Sequence, residues 1–467
     1  MNGFLGMKHN VIVIGAGLSG LTAAKILTQL GLTVLILEAR NRVGGRIHTL
    51  QSNRFPLEAG TLFFENRIGS ENQNPILTLV HAHKLKTIAL KEAQSVIYDI
   101  HKQIQTPKKL QTFVYDEYNE ANMKIQEAKR VPWKTLPSLA EVLGYRQNNI
   151  PKPGSPGFIA RQTITHLIEQ HTGGPLNEIS ILELMNTDYG SEDKWVVQGF
   201  QSLMDELRDE LIATKKASFQ FNTCVKTIEH FAEQGVLVIS SNNEEYSADA
   251  VLCTVPIGVL KQGGITFSPP LSEAKKEAIQ HLQIGSLEKV ILEFEKPFWP
   301  NEAHFIYPGS TSEKIWPAYL NLLHFSHQKI PGLICHFYAK AADFTHLSDD
   351  KIIEKALTPL RTLYGEKVTP LKSAEVTHWG SDPFTLGSTS FFGLKFQSAD
   401  LDNLSRPEPG GLFFAGAYAA KHARETVQGA YSSGVESALK LDLFLKNKAK
   451  HKLEIEPPTP PRKKLKP

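Results

Sequence analysis

A chain of 467 residues with 41% hydrophobic and 21% charged content carries enough apolar sequence for two or three domain-sized units. Its net charge of +3 is concentrated at one end, where residues 446–467 hold eight Lys/Arg against Glu454 and Glu456; the remainder is slightly acidic, which excludes a nucleic-acid-binding face on the globular part. No uninterrupted apolar run of about 18 residues occurs, MNGFLGMKHN lacks the features of a signal peptide, and Cys224, Cys253 and Cys335 lie far apart, so no membrane span, secretory leader, disulfide framework or metal site is expected and a reducing, cytoplasmic compartment fits.

Val11-Ile12-Val13-Ile14 is a short buried-strand run that glycines break from Gly15 to Gly20, and Leu18, Leu21, Ala24, Leu27 and Leu30 then recur at helical spacing until Gly31. Residues 33–37 form a second β-rich run ending in Glu38, which completes a βαβ opening. Residues 67–190 mix polar and aromatic sequence with several prolines and a loop-like stretch at 147–157, and are expected to be mainly helical. Strand-like runs return at 235–240, 249–255, 289–294 and 332–338, with a helix predicted over 272–282. A last strand at 411–414, a turn at Gly416 and a helix from about 426 to 446 close the folded part. The Pro-rich basic tail, 447–467, is expected to be disordered. It reads as a solvated end, the alternative being an address read by a receptor or a tether to an anionic surface.

GAGLSG, Gly15 to Gly20, fits GxGxxG, in which Gly15 makes the tight turn, Gly17 lets backbone approach a pyrophosphate and Gly20 permits close helix–strand packing. Leu18 and Ser19 open the helix, whose unpaired N–H groups favour an anion. Glu38 stands where a carboxylate can accept both ribose hydroxyls, with Ala39 beside it. The motif alone is weak; the strand–helix–strand–acid order is what makes it a dinucleotide site. Arg40, Arg42, Gly44, Gly45 and Arg46 follow, placing basic groups beside a glycine pair, with Arg46 favoured over Arg42 as a phosphate contact.

EARNRVGGRIHT after GAGLSG resembles the opening of the flavin-containing amine oxidases, the family of monoamine oxidases, polyamine oxidases and flavin-dependent histone demethylases. DAVLCTVPIGVL at 249–260 and the blocks within 377–438 (THWGSDPFTLGSTS, then GGLFFAGAYAAKHARETVQGAYSSGVESA) resemble its central and C-terminal regions. The resemblance implies an α/β fold, a discontinuous Rossmann-like FAD-binding domain (1–66, 191–265, 375–446) with an inserted α+β substrate-binding domain (67–190, 266–374). It also implies oxidation of a small amine, a polyamine among the candidates, to an imine that hydrolyses to a carbonyl product, with oxygen reduced to hydrogen peroxide.

The same resemblance assigns roles. Lys289 falls where the family keeps a lysine that holds a water against the flavin, although an outward-facing strand lysine fits the local pattern equally. Trp379 resembles the tryptophan beside the flavin, and Val225 the position whose backbone meets the adenine; a core aromatic and a plain strand valine are the alternatives. Phe391 and Thr426 match the pair that steers the amine, with Tyr431 one helical turn onward, so the cage is incomplete. Ser390 stands where the monoamine oxidases carry a cysteine linked to the flavin, so FAD is expected to be non-covalent. Gly416, Ala417 and Val427 belong to the C-terminal cofactor region, with Ala417 replacing the glutamate of many relatives. Glu65 matches a position near the substrate tunnel, against an exposed loop glutamate, and Glu58 a cofactor-side acid. The rival activities are an amino-acid oxidase, which needs an arginine for the substrate carboxylate, and a desaturase or protoporphyrinogen oxidase; a non-catalytic flavin-binding interaction protein is the rival of another class.

Overall fold

The N-terminal apolar run becomes β1 (His9–Ile14), whose Val11, Ile12 and Val13 are fully buried because layers cover both faces of the strand. Parallel neighbours flank it: β2 (Val34–Leu37) on one side and the strand Glu245–Cys253 on the other. The computed structural model describes residues 9–51, 56–64, 74–90, 95–99, 104–105, 108–133, 135–145, 151–152, 155–185, 193–231, 235–308, 318–325, 330–338 and 344–455. In it these strands form the middle of an eight-stranded sheet. Ala217–Gln220 extends the parallel set beyond β2, Leu412–Phe414 pairs in parallel with the end of Glu245–Cys253, and Val225–Phe231 with Gly235–Ser240 adds an antiparallel part. The α/β class expected from the sequence is the one that forms.

The helix α1 (Leu18–Gln29) buries Leu18, Leu21, Ala24 and Leu27 against one face of this sheet, and its small residues let the C-terminal helix Val427–Ile455 pack closely on it. Gly434 marks the crossing, since a Cβ there would overlap the Ser19 carbonyl. Gly434→Ala is therefore expected to lower the melting temperature by a few degrees, because backbone meets backbone and overpacking of this kind costs about 1–3 kcal/mol. A thermal melt identical to wild type would show that the helices separate freely.

A seven-stranded sheet forms the second layer, in the order Leu371–Val376, Leu287–Phe294, Gly332–Tyr338, Tyr319–Asn321, Phe305–Tyr307, Val96–Asp99, Ile104–Gln105. Val290, Leu292 and Phe294 pack toward one core cluster and Ile291 toward another, so Leu287–Phe294 is covered on both sides. The helices Lys108–Ala128 and Pro156–Thr172 pack on each other and form a third wall.

Two details differ from the sequence reading. Within 67–190 the described helices are joined by the strands Thr87–Ala89, Val96–Asp99 and Ile104–Gln105, which are too short to show a period of their own; the first two are held by distant partners and the third pairs with the second. The final helix runs to Ile455 rather than stopping near 446, because no Gly or Pro lies between 446 and Pro457 to stop the Lys-, Ala- and Leu-bearing sequence. The basic, Pro-rich end from 456 onward lies outside the described residues. Among the described residues no helix is long and apolar enough to cross a membrane.

Candidate active site

A cavity of about 1060 Å3 runs from the β1–α1 turn to the second sheet, and sequence-distant segments meet along it. Its wall includes Gly15, Gly17, Leu18, Ser19, Glu38, Ala39 and Arg40 around the β1–α1 turn, with Gly44, Gly45, Arg46 and Val225. Gly416, Ala417, Thr426 and Val427 line it as well, as do Lys289, from the second sheet, and Trp379.

The glycine loop takes its shape from identifiable constraints. Gly15 has φ +102°, a left-handed conformation that disfavours a side chain, and a Cβ there would stand 2.6 Å from Thr254 Oγ1. A Cβ on Gly20 would overlap the Gly15 carbonyl, so Gly20 serves packing and is not part of the cavity wall. Gly17 is the opposite case: its φ is an ordinary −73° and a Cβ would meet no atom within 4 Å, because that space is the cavity. Gly44 is bridged to Gly17, which brings the second glycine pair against the first.

Glu38 is buried, and its two carboxylate oxygens accept the N–H groups of Ala16 at 2.7 Å and Arg40 at 2.9 Å. Burial lifts its pKa despite these bonds and the charges of Arg40 and Arg42. The carboxylate is thus aimed by the backbone, while each oxygen keeps acceptor capacity for a hydroxyl. The Val225 segment is locked beside it, Thr223 N–H donating to the Glu38 carbonyl at 2.9 Å. An open glycine turn, a helix N-terminus and an oriented acid along one long cavity fit a dinucleotide with a further ring system, so the residues present suit FAD.

Arg42 donates to the carbonyls of Val43, Gly45 and Ile47, shaping the glycine turn from behind; burial lowers its pKa to about 10. Arg46 lines the cavity, but its guanidinium is engaged by the Ser388 carbonyl at 2.9 Å and Glu425 at 2.8 Å. Ser390 Oγ donates to the other Glu425 oxygen, and Arg424 binds Ser390 and Glu183 while lying 4.2 Å over the Phe392 ring. Ala423 and Glu425 both have positive φ, near +50° and +55°, an unusual conformation for residues with side chains. Sequence reading missed Arg424, Glu425 and Glu183: the first two lie within the C-terminal block but received no role, Glu183 lies in no motif, and only the fold brings 183 to 424.

Lys289 is buried, and Nζ donates to the Glu58 carbonyl at 3.1 Å and to the Gly60 carbonyl. Burial lowers its pKa, opposed by the charges of Glu58 and Glu288. Glu58, itself raised by burial, accepts from Phe200 N–H at 2.6 Å and Thr49 Oγ1 at 2.9 Å behind the cavity wall, so it supports Lys289 and does not face the cofactor space. His336, opposite Lys289 on the neighbouring strand, has its pKa lowered to about 3 by burial and the Lys289 ammonium. Trp379 is held by its Nε1–H on the Ala59 carbonyl at 3.0 Å and meets His48 edge-on at 6.4 Å.

Two expected substrate residues do not reach the cavity. Phe391 packs with Ile164, Ile168 and Ile179 and against Gly174, because strand alternation places it opposite Ser390 and Phe392; Ser390 and Phe392 occupy that wall instead. Tyr431 packs on the core around α1, having turned about 100° past Ala430, which lines the cavity. Glu65 lies outside the described residues.

The family model for flavin-containing amine oxidoreductases matches residues 18–441. Among curated proteins the chain is 28% identical over 509 residues to lysine-specific histone demethylase 1 homolog 3 of Arabidopsis thaliana, covering 96% of this chain and 31% of that protein, so it spans about a third of that relative's length. It is 29% identical over 446 residues to polyamine oxidase 3 of Oryza sativa subsp. japonica, covering 92% of this chain and 88% of that one. In fold it is similar to putrescine oxidase bound to putrescine, with a TM-score of 0.76 and 22% identity over 94% of this chain and 99% of that one. The cavity and these matches converge: this chain belongs to the flavin-containing amine oxidoreductase family.

Proposed function

We propose that the chain holds FAD non-covalently and oxidises a small amine to an imine, which hydrolyses to a carbonyl product, with oxygen reduced to hydrogen peroxide. Bound there, FAD would supply the redox chemistry, a two-electron oxidation of the amine coupled to reduction of oxygen. The protein's part is to bind, orient and exclude solvent. Gly17, Glu38 and the Val225 segment hold the dinucleotide, while Thr389, Thr426 and Phe392 border the space for the amine. Lys289 is the observation that carries the reading: its buried ammonium, held by the Glu58 and Gly60 carbonyls at the head of the apolar run Val290–Leu292, lines the cavity with Trp379.

A polyamine is one candidate substrate, supported by the 29% identity to a polyamine oxidase over 92% of this chain. Arg424 favours a second reading, in which the substrate also carries a carboxylate, because an arginine fork suits that group. That reading stands second because Arg424 is already engaged by Glu183 and Ser390. The test is purification, a visible spectrum, acid precipitation and a peroxide assay over monoamines, polyamines and amino acids. Release of all flavin by acid, with peroxide from amines and little from amino acids, is the expected result. Flavin that remains on the precipitated chain contradicts non-covalent binding, and bound flavin that no member of the panel reduces anaerobically leaves the non-catalytic interaction protein as the reading.

A further inference from the structure

Glu288 precedes Lys289 on the strand Leu287–Phe294 and is 2% exposed. One of its carboxylate oxygens accepts from Thr377 Oγ1 at 2.6 Å and Trp379 N–H at 2.9 Å, and the other from Gly380 N–H at 2.7 Å. Ser286 Oγ lies 3.4 Å from the second oxygen. Thr377 closes the connection to the lysine: its Oγ1 accepts Lys289 N–H at 2.8 Å, and its own N–H donates to the Lys289 carbonyl at 3.0 Å. On the far side both side chains are bound to one short segment, Lys289 Nζ to the Glu58 and Gly60 carbonyls and Trp379 Nε1 to the Ala59 carbonyl. Lys289 and Trp379 are therefore joined twice, through residues 58–60 and through Glu288.

A buried carboxylate receiving donors from three successive parts of a turn fixes that turn in one geometry. A neutral residue of equal size offers fewer acceptor sites and no charge. We propose that Glu288 is a positioning residue: its carboxylate sets the Trp379 and Lys289 side chains in a single arrangement on the cavity wall. This rests on the role assigned to Lys289 above. The titratable groups facing Lys289 are Glu58 on Pro56–Glu58, Glu288 on its own strand and His336 on Gly332–Tyr338, with His48 behind Trp379. His336 is neutral near pH 7, so Glu58 and Glu288 are the groups that oppose the downward pull of burial on the lysine pKa. Removing one lowers the lysine pKa, and the alkaline loss of a Lys289-dependent rate must then begin at a lower pH.

The test compares Glu288→Gln, Glu288→Asp and Lys289→Met in the full chain loaded with FAD, reading flavin content, the absorption envelope of the bound flavin and the pH profile of reoxidation by oxygen. Glu288→Gln is expected to retain flavin, alter its absorption envelope and move the alkaline limb down by on the order of one pH unit. Glu288→Asp keeps the charge but not the reach, and is expected to hold the limb in place while slowing the rate several-fold. An unmoved limb and envelope in flavinated Glu288→Gln overturns the proposal. If that variant fails to fold, wild-type rate and envelope in Glu288→Asp overturn it. Loss of rate in Lys289→Met with unmoved Glu288 variants rejects positioning alone, whereas an unaffected Lys289→Met rejects the reading of Lys289 itself.

Discussion

Lys289→Met is expected to purify folded and fully flavinated, yet to slow reoxidation of the reduced flavin, or turnover as a whole, by tenfold or more. Methionine keeps an apolar stem of similar length and removes the ammonium, which leaves the Glu58 and Gly60 carbonyls without their donor. An unpaired buried carbonyl costs about 1–3 kcal/mol, but the substitution also removes a charge whose own burial is unfavourable, so stability changes less than rate. Glu58 is raised by burial and loses the charge that opposes this, so it becomes protonated without leaving a lone anion in the wall. Tenfold corresponds to about 1.4 kcal/mol of lost transition-state stabilisation, a modest demand on one ammonium that can hold a water in a site withdrawn from solvent. Anaerobic stopped-flow reduction by an active amine, followed by mixing with oxygen, separates the half-reactions. If both rates equal those of wild type, Lys289 is a structural strand lysine.

How much was legible depended on whether a residue's role is local. The βαβ opening is local, so the run from Val11 to Glu38 announces its strands, its turn and its acid in order, and the structure adds only the two N–H groups that aim Glu38. Lys289 was visible as a charge within an apolar run, but its direction was not, because two-sided burial of Leu287–Phe294 removes the alternation that tells inside from outside. Phe391 fails for the related reason that a shift of one along a strand exchanges its faces, and a short motif match does not fix the face. The Arg46–Glu425–Ser390–Arg424–Glu183 chain is wholly non-local. Its members read as ordinary polar residues until the helical region near 183 and the loop at 424 share a wall.

Gly17→Val and Gly20→Ala are expected to fail in different ways, although both break the same motif. At position 17 the backbone is extended, with φ −73° and ψ 173°, which valine adopts readily, and a Cβ meets no protein atom within 4 Å. Folding should survive, and the chain should purify colourless, because the valine methyls occupy the space that lets a pyrophosphate approach the helix N-terminus. At position 20 a Cβ overlaps the Gly15 carbonyl and stands 3.1 Å from Thr254 Oγ1, both belonging to the framework that joins β1 to α1. There the cost falls on the fold: about 1–3 kcal/mol of overpacking, lower soluble yield and a lower melting temperature even without cofactor. Circular-dichroism melts of both variants, with FAD added back and followed by quenching of its fluorescence, distinguish the two outcomes. A Gly17→Val protein that binds FAD stoichiometrically with wild-type affinity would mean that the pyrophosphate does not pass over this turn, and the cofactor assignment of the loop would have to be abandoned.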